Sequence, residues 1–152
     1  MIGLLQRVTE ASVETDKQCL GRIETGLLVL VGVEKGDTEK QADRLLDRLL
    51  TYRVFPDNEG RMNLSLGDIH GGLLLVPQFT LAADTRKGTR PGFSTAASPE
   101  VGEKLFSYLL SLAHRHTADH GVQVEAGRFG TDMQVALVND GPVTFWLQVP
   151  PR

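Results

Sequence analysis

Few residues of this chain stand where they could do chemistry, and none forms an obvious catalytic set. Thr80 lies where an apolar run, Gly72 to Val76 continuing into Pro77-Gln-Phe-Thr-Leu81, gives way to a long polar stretch. Loops entered from a strand often carry function. A threonine attacks only when a base takes its proton, and no histidine or lysine stands close to Thr80 in sequence. A lone threonine at a strand end is more often a β-former satisfied by backbone bonds. His116 and His120 are spaced as a metal pair on one helix face would be, but no cysteine or carboxylate motif completes a ligand set with them or with His70 and His114. Near a helix C-terminus, histidines also interact favourably with the helix dipole, so no metal site is expected.

The polar stretch from Ala82 to Ala97 carries Arg86, Lys87 and Arg90 against one acid, Asp84. It is long for a loop in a compact domain, and such loops are often binding elements. Two readings stand side by side: a solvated surface loop, or a phosphate-contacting loop beside a site. Asn139-Asp-Gly-Pro142 is the other candidate. As a hairpin turn joining two strands it requires no further function. If its Gly141-Pro142 bond is cis, however, two carbonyls point nearly the same way and form an acceptor pair for an ammonium group.

These residues must be held by elements that the pattern predicts. Ile2 to Val13 alternates loosely and reads as part of a strand pair. The glycine-bounded apolar run Gly26 to Val33 fits a strand buried on both faces. Thr38 with Gln41 forms a capping box for an amphipathic helix through Ala42, Leu45, Leu46, Leu49 and Leu50. A turn at Pro56 to Gly60 precedes a short strand around Met62 to Leu66. Ser98-Pro99 starts a second helix, expected to end near Gly121. The last strand alternates Val143, Phe145, Leu147 and Val149 against Thr144, Trp146 and Gln148. The expected fold is a mixed α/β single domain over 1–152, with a largely antiparallel, barrel-like sheet and two main helices.

Composition narrows the function classes. The 152 residues are 41% hydrophobic and 23% charged, which excludes a disordered tail or a fibre. A net charge of −3 excludes a generally basic nucleic-acid binder but leaves room for a local basic patch. The longest apolar run is far short of the ~20 residues a membrane span needs, and no signal peptide is visible. One cysteine, Cys19, excludes an internal disulfide framework. A cytoplasmic protein is expected.

Taken together, the segments resemble the D-aminoacyl-tRNA deacylase family. The resemblance rests on Met1 to Val8, Gly26 to Lys35, Gln78 to Thr85, Arg90-Pro91 with Phe93-Ser94, Gly127 to Gly130, and Asp132 to Val135. The closing run Val138 to Trp146 is the most specific of them. The resemblance implies a homodimeric editing hydrolase, a carboxylic ester hydrolase that removes D-amino acids from mischarged tRNA in translation quality control. Its two motifs map onto Gln78-Phe79-Thr80-Leu81 and onto Gly141-Pro142. It further implies a cis Gly-Pro bond that reaches into the partner subunit's site to screen chirality, acceptance of glycyl-tRNA, a pocket for the 3′-terminal adenosine, and no metal or organic cofactor. In the family a serine usually precedes Gln-Phe-Thr-Leu, and here Pro77 stands in its place. An activated aminoacyl ester needs a placed water and a stabilised oxyanion more than a strong nucleophile, and backbone amides near Phe79 and Thr80 suit that task. Two other readings compete: a non-catalytic RNA-binding dimer, and a threonine-nucleophile amidase acting on small D-amino-acid derivatives.

Overall fold

A long first strand organises the chain. A computed structural model describes residues 1–16 and 18–151. In chain order the elements are β1 (Ile2–Thr15), β2 (Gln18–Ile23), β3 (Gly26–Gly32), α1 (Glu39–Thr51), β4 (Phe55–Pro56), β5 (Met62–Leu64), α2 (Leu66–Ile69) and β6 (Gly72–Pro77). A 3-10 turn (Phe79–Ala82), α3 (Pro99–Thr117), β7 (Val124–Ala126) and β8 (Gln134–Gln148) complete the chain.

Along one edge of β1, β2 and β3 run back antiparallel, pairing Ala11 with Ile23 and Ile2 with Gly32. Along the other edge runs β8, also antiparallel, from Glu14 opposite Gln134 to Ile2 opposite Gln148. Beyond β3 the sheet continues in parallel through β6 and β7. The Gln123 side chain then donates to the Arg22 carbonyl at 3.3 Å, drawing the start of β7 towards β2 and nearly closing a barrel. Parallel strands are covered on both faces. Accordingly Leu27, Val29 and Val31 of β3 face one core, and Leu28 faces a second.

Both main helices pack on the first core. The Thr38 capping box forms as the sequence predicts, and α1 buries Ala42, Leu45, Leu46 and Leu49. Ser98 caps α3 at the Val101 N–H, and α3 buries Leu105, Phe106 and Leu109. Two boundaries differ from the sequence reading. Leu66 leaves the strand to open α2, because Ser65 and Asp68 cap each other's backbone there. The second main helix stops at Thr117, and Gly121 lies beyond it in a turn at φ +69°. Among the described residues no helix is long and apolar enough to cross a membrane.

Candidate active site

Thr80 sits in a 3-10 turn rather than on a strand. The strand β6 ends at Pro77 opposite Val31, and Gln78 then donates its N–H to the Val31 carbonyl at 2.8 Å. Neighbouring N–H groups on a strand point to opposite edges, so the N–H that Pro77 lacks would face β7. That ladder has already stopped at Ala126 opposite Leu75, which is why a proline is accommodated here. Gln78 to Ala83 is closed by Leu81 N–H to Gln78 O at 3.2 Å and Ala83 N–H to Thr80 O at 3.2 Å. The N–H groups of Phe79 and Thr80 open the turn, where it offers them no carbonyl of its own. Among the described residues neither donates to a backbone carbonyl. The Gln78 side-chain amide donates to the Thr80 hydroxyl. Two exposed residues thus carry backbone N–H groups beside a hydroxyl that the Gln78 amide holds.

Packing fixes this turn. Gly32 lies directly beneath it: a Cβ there would stand 2.9 Å from the Leu81 Cβ and 3.4 Å from the Gln78 carbonyl oxygen. The Thr95 hydroxyl donates to the Ala82 carbonyl at 2.5 Å. Phe79, 60% exposed, tilts against the exposed ring of Phe93 with centroids 5.2 Å apart.

The basic stretch folds back on itself. Asp84 and Gly92 exchange backbone hydrogen bonds at 2.7 and 3.0 Å, so Arg86, Lys87 and Arg90 project from a closed tip. Arg86 is committed within it: its Nε and Nη2 reach the two Asp84 carboxylate oxygens at 2.9 and 2.8 Å. Those bonds, with the Arg86 backbone N–H, hold the Asp84 carboxyl down to about 2. Among the described residues, Lys87 and Arg90 are the cations of this loop without an ion-pair partner, whereas Arg86 has Asp84.

Asn139 to Pro142 is not a hairpin turn between two paired strands. It lies inside the single strand β8, whose two halves both pair with β1. Gln6 pairs with Thr144 and Val8 with Asn139, so Asp140 to Val143 swells out opposite Arg7 alone. The Gly141-Pro142 bond is cis, and Gly141 takes φ +152°. Asn139 clamps the base of this excursion. Its Oδ1 accepts the Val143 N–H at 2.7 Å, and its Nδ2 donates to the Val143 carbonyl at 3.3 Å and the Thr144 hydroxyl at 3.0 Å. Arg7 ties the excursion to the body of the protein, donating to the Asp140 carbonyl at 2.9 Å and the Val54 carbonyl at 2.7 Å. Sequence reasoning missed both roles. For Arg7 the available signal was a charge at the end of the mostly apolar start of β1, Ile2 to Val8.

Within one chain the two motifs do not meet. The Thr80 turn hangs from Val31, which pairs with Gly3, whereas the excursion faces Arg7. Four residues along β1 is about 13 Å, and the crossing from β8 through β1 and β3 to β6, at right angles to it, is about 14 Å, so the two lie roughly 19 Å apart along the sheet. Exposed Val138 and Trp146 flank the excursion on β8.

The histidines take no part in either motif. His116 lies in the last turn of α3, but His120 lies beyond that helix, so the pair does not share a helix face. Both line a groove of about 670 Å³ with Asp43, Asp68 and Tyr108. His70 meets the His120 carbonyl through Nδ1 at 2.8 Å. Among the described residues no three His, Cys, Asp or Glu side chains gather as a metal site would require.

Known proteins share this architecture and sequence. Residues 4–148 match the family model described as D-Tyr-tRNA(Tyr) deacylase. A D-aminoacyl-tRNA deacylase of Alkalilimnicola ehrlichii is 65% identical over 99% of this chain and 98% of its own. One of Pseudomonas putida is 63% identical over 98% of this chain and the whole of its own. A solved structure described as a c-Myc DNA Unwinding Element Binding Protein superposes with a TM-score of 0.91 at 34% identity, over 99% of both chains. A second, described as a probable eukaryotic D-amino acid tRNA deacylase, has a TM-score of 0.83 at 17% identity over 97% of this chain and 98% of its own, a likeness of fold. With its two motifs in place and the family model matched nearly end to end, the chain belongs to the D-Tyr-tRNA(Tyr) deacylase family.

Proposed function

We propose that the protein is an editing hydrolase that cleaves the ester of D-aminoacyl-tRNA, releasing the free D-amino acid and tRNA. The open end of the Phe79–Ala82 turn carries this reading. A tetrahedral intermediate places negative charge on the former carbonyl oxygen, and the Phe79 and Thr80 N–H groups are fixed donors for it. Thr80 acts by position. Its hydroxyl accepts from Gln78, and no histidine or carboxylate among the described residues touches it, which disfavours the amidase reading. The exposed Phe79 and Phe93 rings offer faces on which the terminal adenine can stack. Lys87 and Arg90, with Arg86 held by Asp84, suit contact with the acceptor-end phosphates.

The second motif serves the same site only across two copies of the chain, because within one copy it lies too far from Thr80. In a homodimer, the partner subunit's Gly141-Pro142 backbone takes the substrate's ammonium group and leaves no room for a side chain on the L side. A D side chain points outward, and glycine has nothing to exclude, so glycyl-tRNA is accepted. Arg7 and Asn139 hold that backbone in place. The chemistry calls on no metal or cofactor.

The test compares hydrolysis of D-tyrosyl-, L-tyrosyl- and glycyl-tRNA by the wild-type protein. Hydrolysis of the D and glycyl esters with the L ester spared is the expected result. Equal rates on the D and L esters would overturn the filter. Absence of hydrolysis would favour the non-catalytic RNA-binding dimer; the 34%-identical neighbour is itself described as a DNA-element binding protein.

A further inference from the structure

We infer that the groove between α1 and the start of α3 is a second contact surface for the substrate tRNA, a track for acceptor-stem phosphates beyond the 3′ end. The inference rests on the proposed deacylase activity.

Its basis is the arrangement of charge on α1. Lys40, Arg44 and Arg48 recur every four residues and so form one stripe, and Glu39, Asp43 and Asp47 form the stripe beside it. A surface helix built for its own stability sets opposite charges four apart, and like charges at that spacing repel. Here every four-residue pair along both stripes is of like sign. The opposite charges three apart relieve only part of this. Arg44 reaches Asp47 at 2.6 Å, but Asp43 accepts from the Tyr108 hydroxyl at 2.7 Å, and Lys40 has no ion-pair partner among the described residues.

The basic stripe faces a groove of about 1190 Å³, whose other wall brings Lys104 from α3. Lys104 likewise has no ion-pair partner among the described residues. Of the two acids lining the groove, Asp37 is spent on the Met1 ammonium at 2.8 Å and the Glu34 N–H at 2.7 Å. Among the described residues lining the groove, Glu39 is then the one acid left to oppose the four cations, of which Arg44 is also paired with Asp47 outside it. On a chain of net charge −3 this concentration is local, and it is complementary to a phosphate backbone. From Lys40 to Arg48 the stripe is about 12 Å long, enough for about two or three successive phosphates of one strand. Asp43 and Asp47, beside the basic stripe and outside this groove, confine a polyanion to the basic side.

The groove also adjoins the candidate active site. Thr95, which holds the Ala82 carbonyl, accepts the Lys35 N–H at 2.9 Å, and Ala97 donates to Val33 at 3.0 Å. This segment leads from the Phe79–Ala82 turn to Ser98, the cap of α3, and lies against the strand end that runs on to Thr38, the cap of α1 that lines the groove. An acceptor arm with its 3′ end at Thr80 has the groove next in its path.

The test is the triple variant Lys40→Gln/Arg44→Gln/Lys104→Gln. Arg48 stays, because it donates to the Gln148 carbonyl and lies over the Tyr52 ring. Binding of uncharged tRNA is followed by fluorescence anisotropy across a salt series, and kcat/KM is measured on D-tyrosyl-tRNA and on D-tyrosyl-adenosine. The variant should keep the wild-type Tm and its activity on the adenosine ester, and bind tRNA about tenfold more weakly at low salt. Its slope of log affinity against log salt should be shallower by about 2 to 3. Wild-type affinity and slope in the variant would overturn the inference, as would an equal loss on both substrates. If the wild-type protein hydrolyses neither ester while the variant still loses tRNA affinity, the deacylase reading fails and the groove stands.

Discussion

Replacing Asn139 by alanine tests how the excursion is held and what it does. The amide makes three hydrogen bonds across its base, two of them well formed at 2.7 and 3.0 Å and one longer at 3.3 Å. Alanine leaves the Val143 N–H and carbonyl to water or to nothing, although the Val143 side chain is buried. At about 1 kcal/mol net for each well-formed bond, the loss is about 2 kcal/mol. For a chain of this size that lowers Tm by roughly 4 to 8 °C. The functional effect should be distinct from the loss of stability. A loosened excursion no longer fixes the Gly141-Pro142 backbone, so hydrolysis of D-tyrosyl-tRNA falls and the ratio of L to D hydrolysis rises. Asn139→Asp keeps the acceptor for the Val143 N–H but sets a carboxylate oxygen where the amide had donated to the Val143 carbonyl, so it should be intermediate. Thermal melts and paired assays on the two esters, below the variant's Tm, read both effects. A wild-type Tm would refute the clamp, and a lowered Tm with an unchanged L to D ratio would refute the excursion as the filter.

Further substitutions probe the rest of the site. Gly32→Ala drives a methyl into Leu81 and the Gln78 carbonyl, so it should cost about 1 to 3 kcal/mol and lower kcat about 100-fold, and a wild-type rate would show that the turn tolerates displacement. In Gly141→Ala the new Cβ would stand 2.7 Å from the Val143 backbone nitrogen, so the excursion itself must move, and loss of D-ester hydrolysis with a lowered Tm is expected in melts and assays. The Asp84 carboxyl, held at about 2, loses its proton far below neutrality, and its pairing with Arg86 is lost only as pH falls towards that value. Throughout the neutral range, therefore, Lys87→Gln or Arg90→Gln should flatten the salt dependence of tRNA binding more than Arg86→Gln does, and equal effects would show that the ion pair opens on binding. Activity should survive exhaustive treatment with EDTA, and its loss with recovery on adding zinc would bring His116 and His120 back into consideration. Sedimentation at assay concentration should find a dimer, and an active monomer would end the shared-site proposal.

Much of this protein is local and therefore legible in its residues. The Thr38 capping box, the Ser98-Pro99 start, the apolar face of α1 and the doubly buried run of β3 each depend on neighbours within a few positions, and each forms where spacing predicts. Sequence likeness over the whole chain carries the family. The tertiary structure decided the features that depend on distant partners. Asn139-Asp-Gly-Pro142 has the chemistry of a hairpin turn, and nothing local says whether its flanking segments pair with each other or with a third strand. The length and register of β1 settle that, turning a turn motif into an excursion held by Arg7, more than 130 positions away. Thr80 reads as a strand end because β-branched residues favour strands, but the sheet stops at Pro77 and the close pass of Gly32 folds the next residues into a 3-10 turn. The charge pattern of α1 is readable as two stripes, yet its significance appears only when Lys104, from a helix 60 residues later, faces one of them across a groove. Spacing encodes the faces of single elements, and the opposing face is supplied by the register of the whole fold.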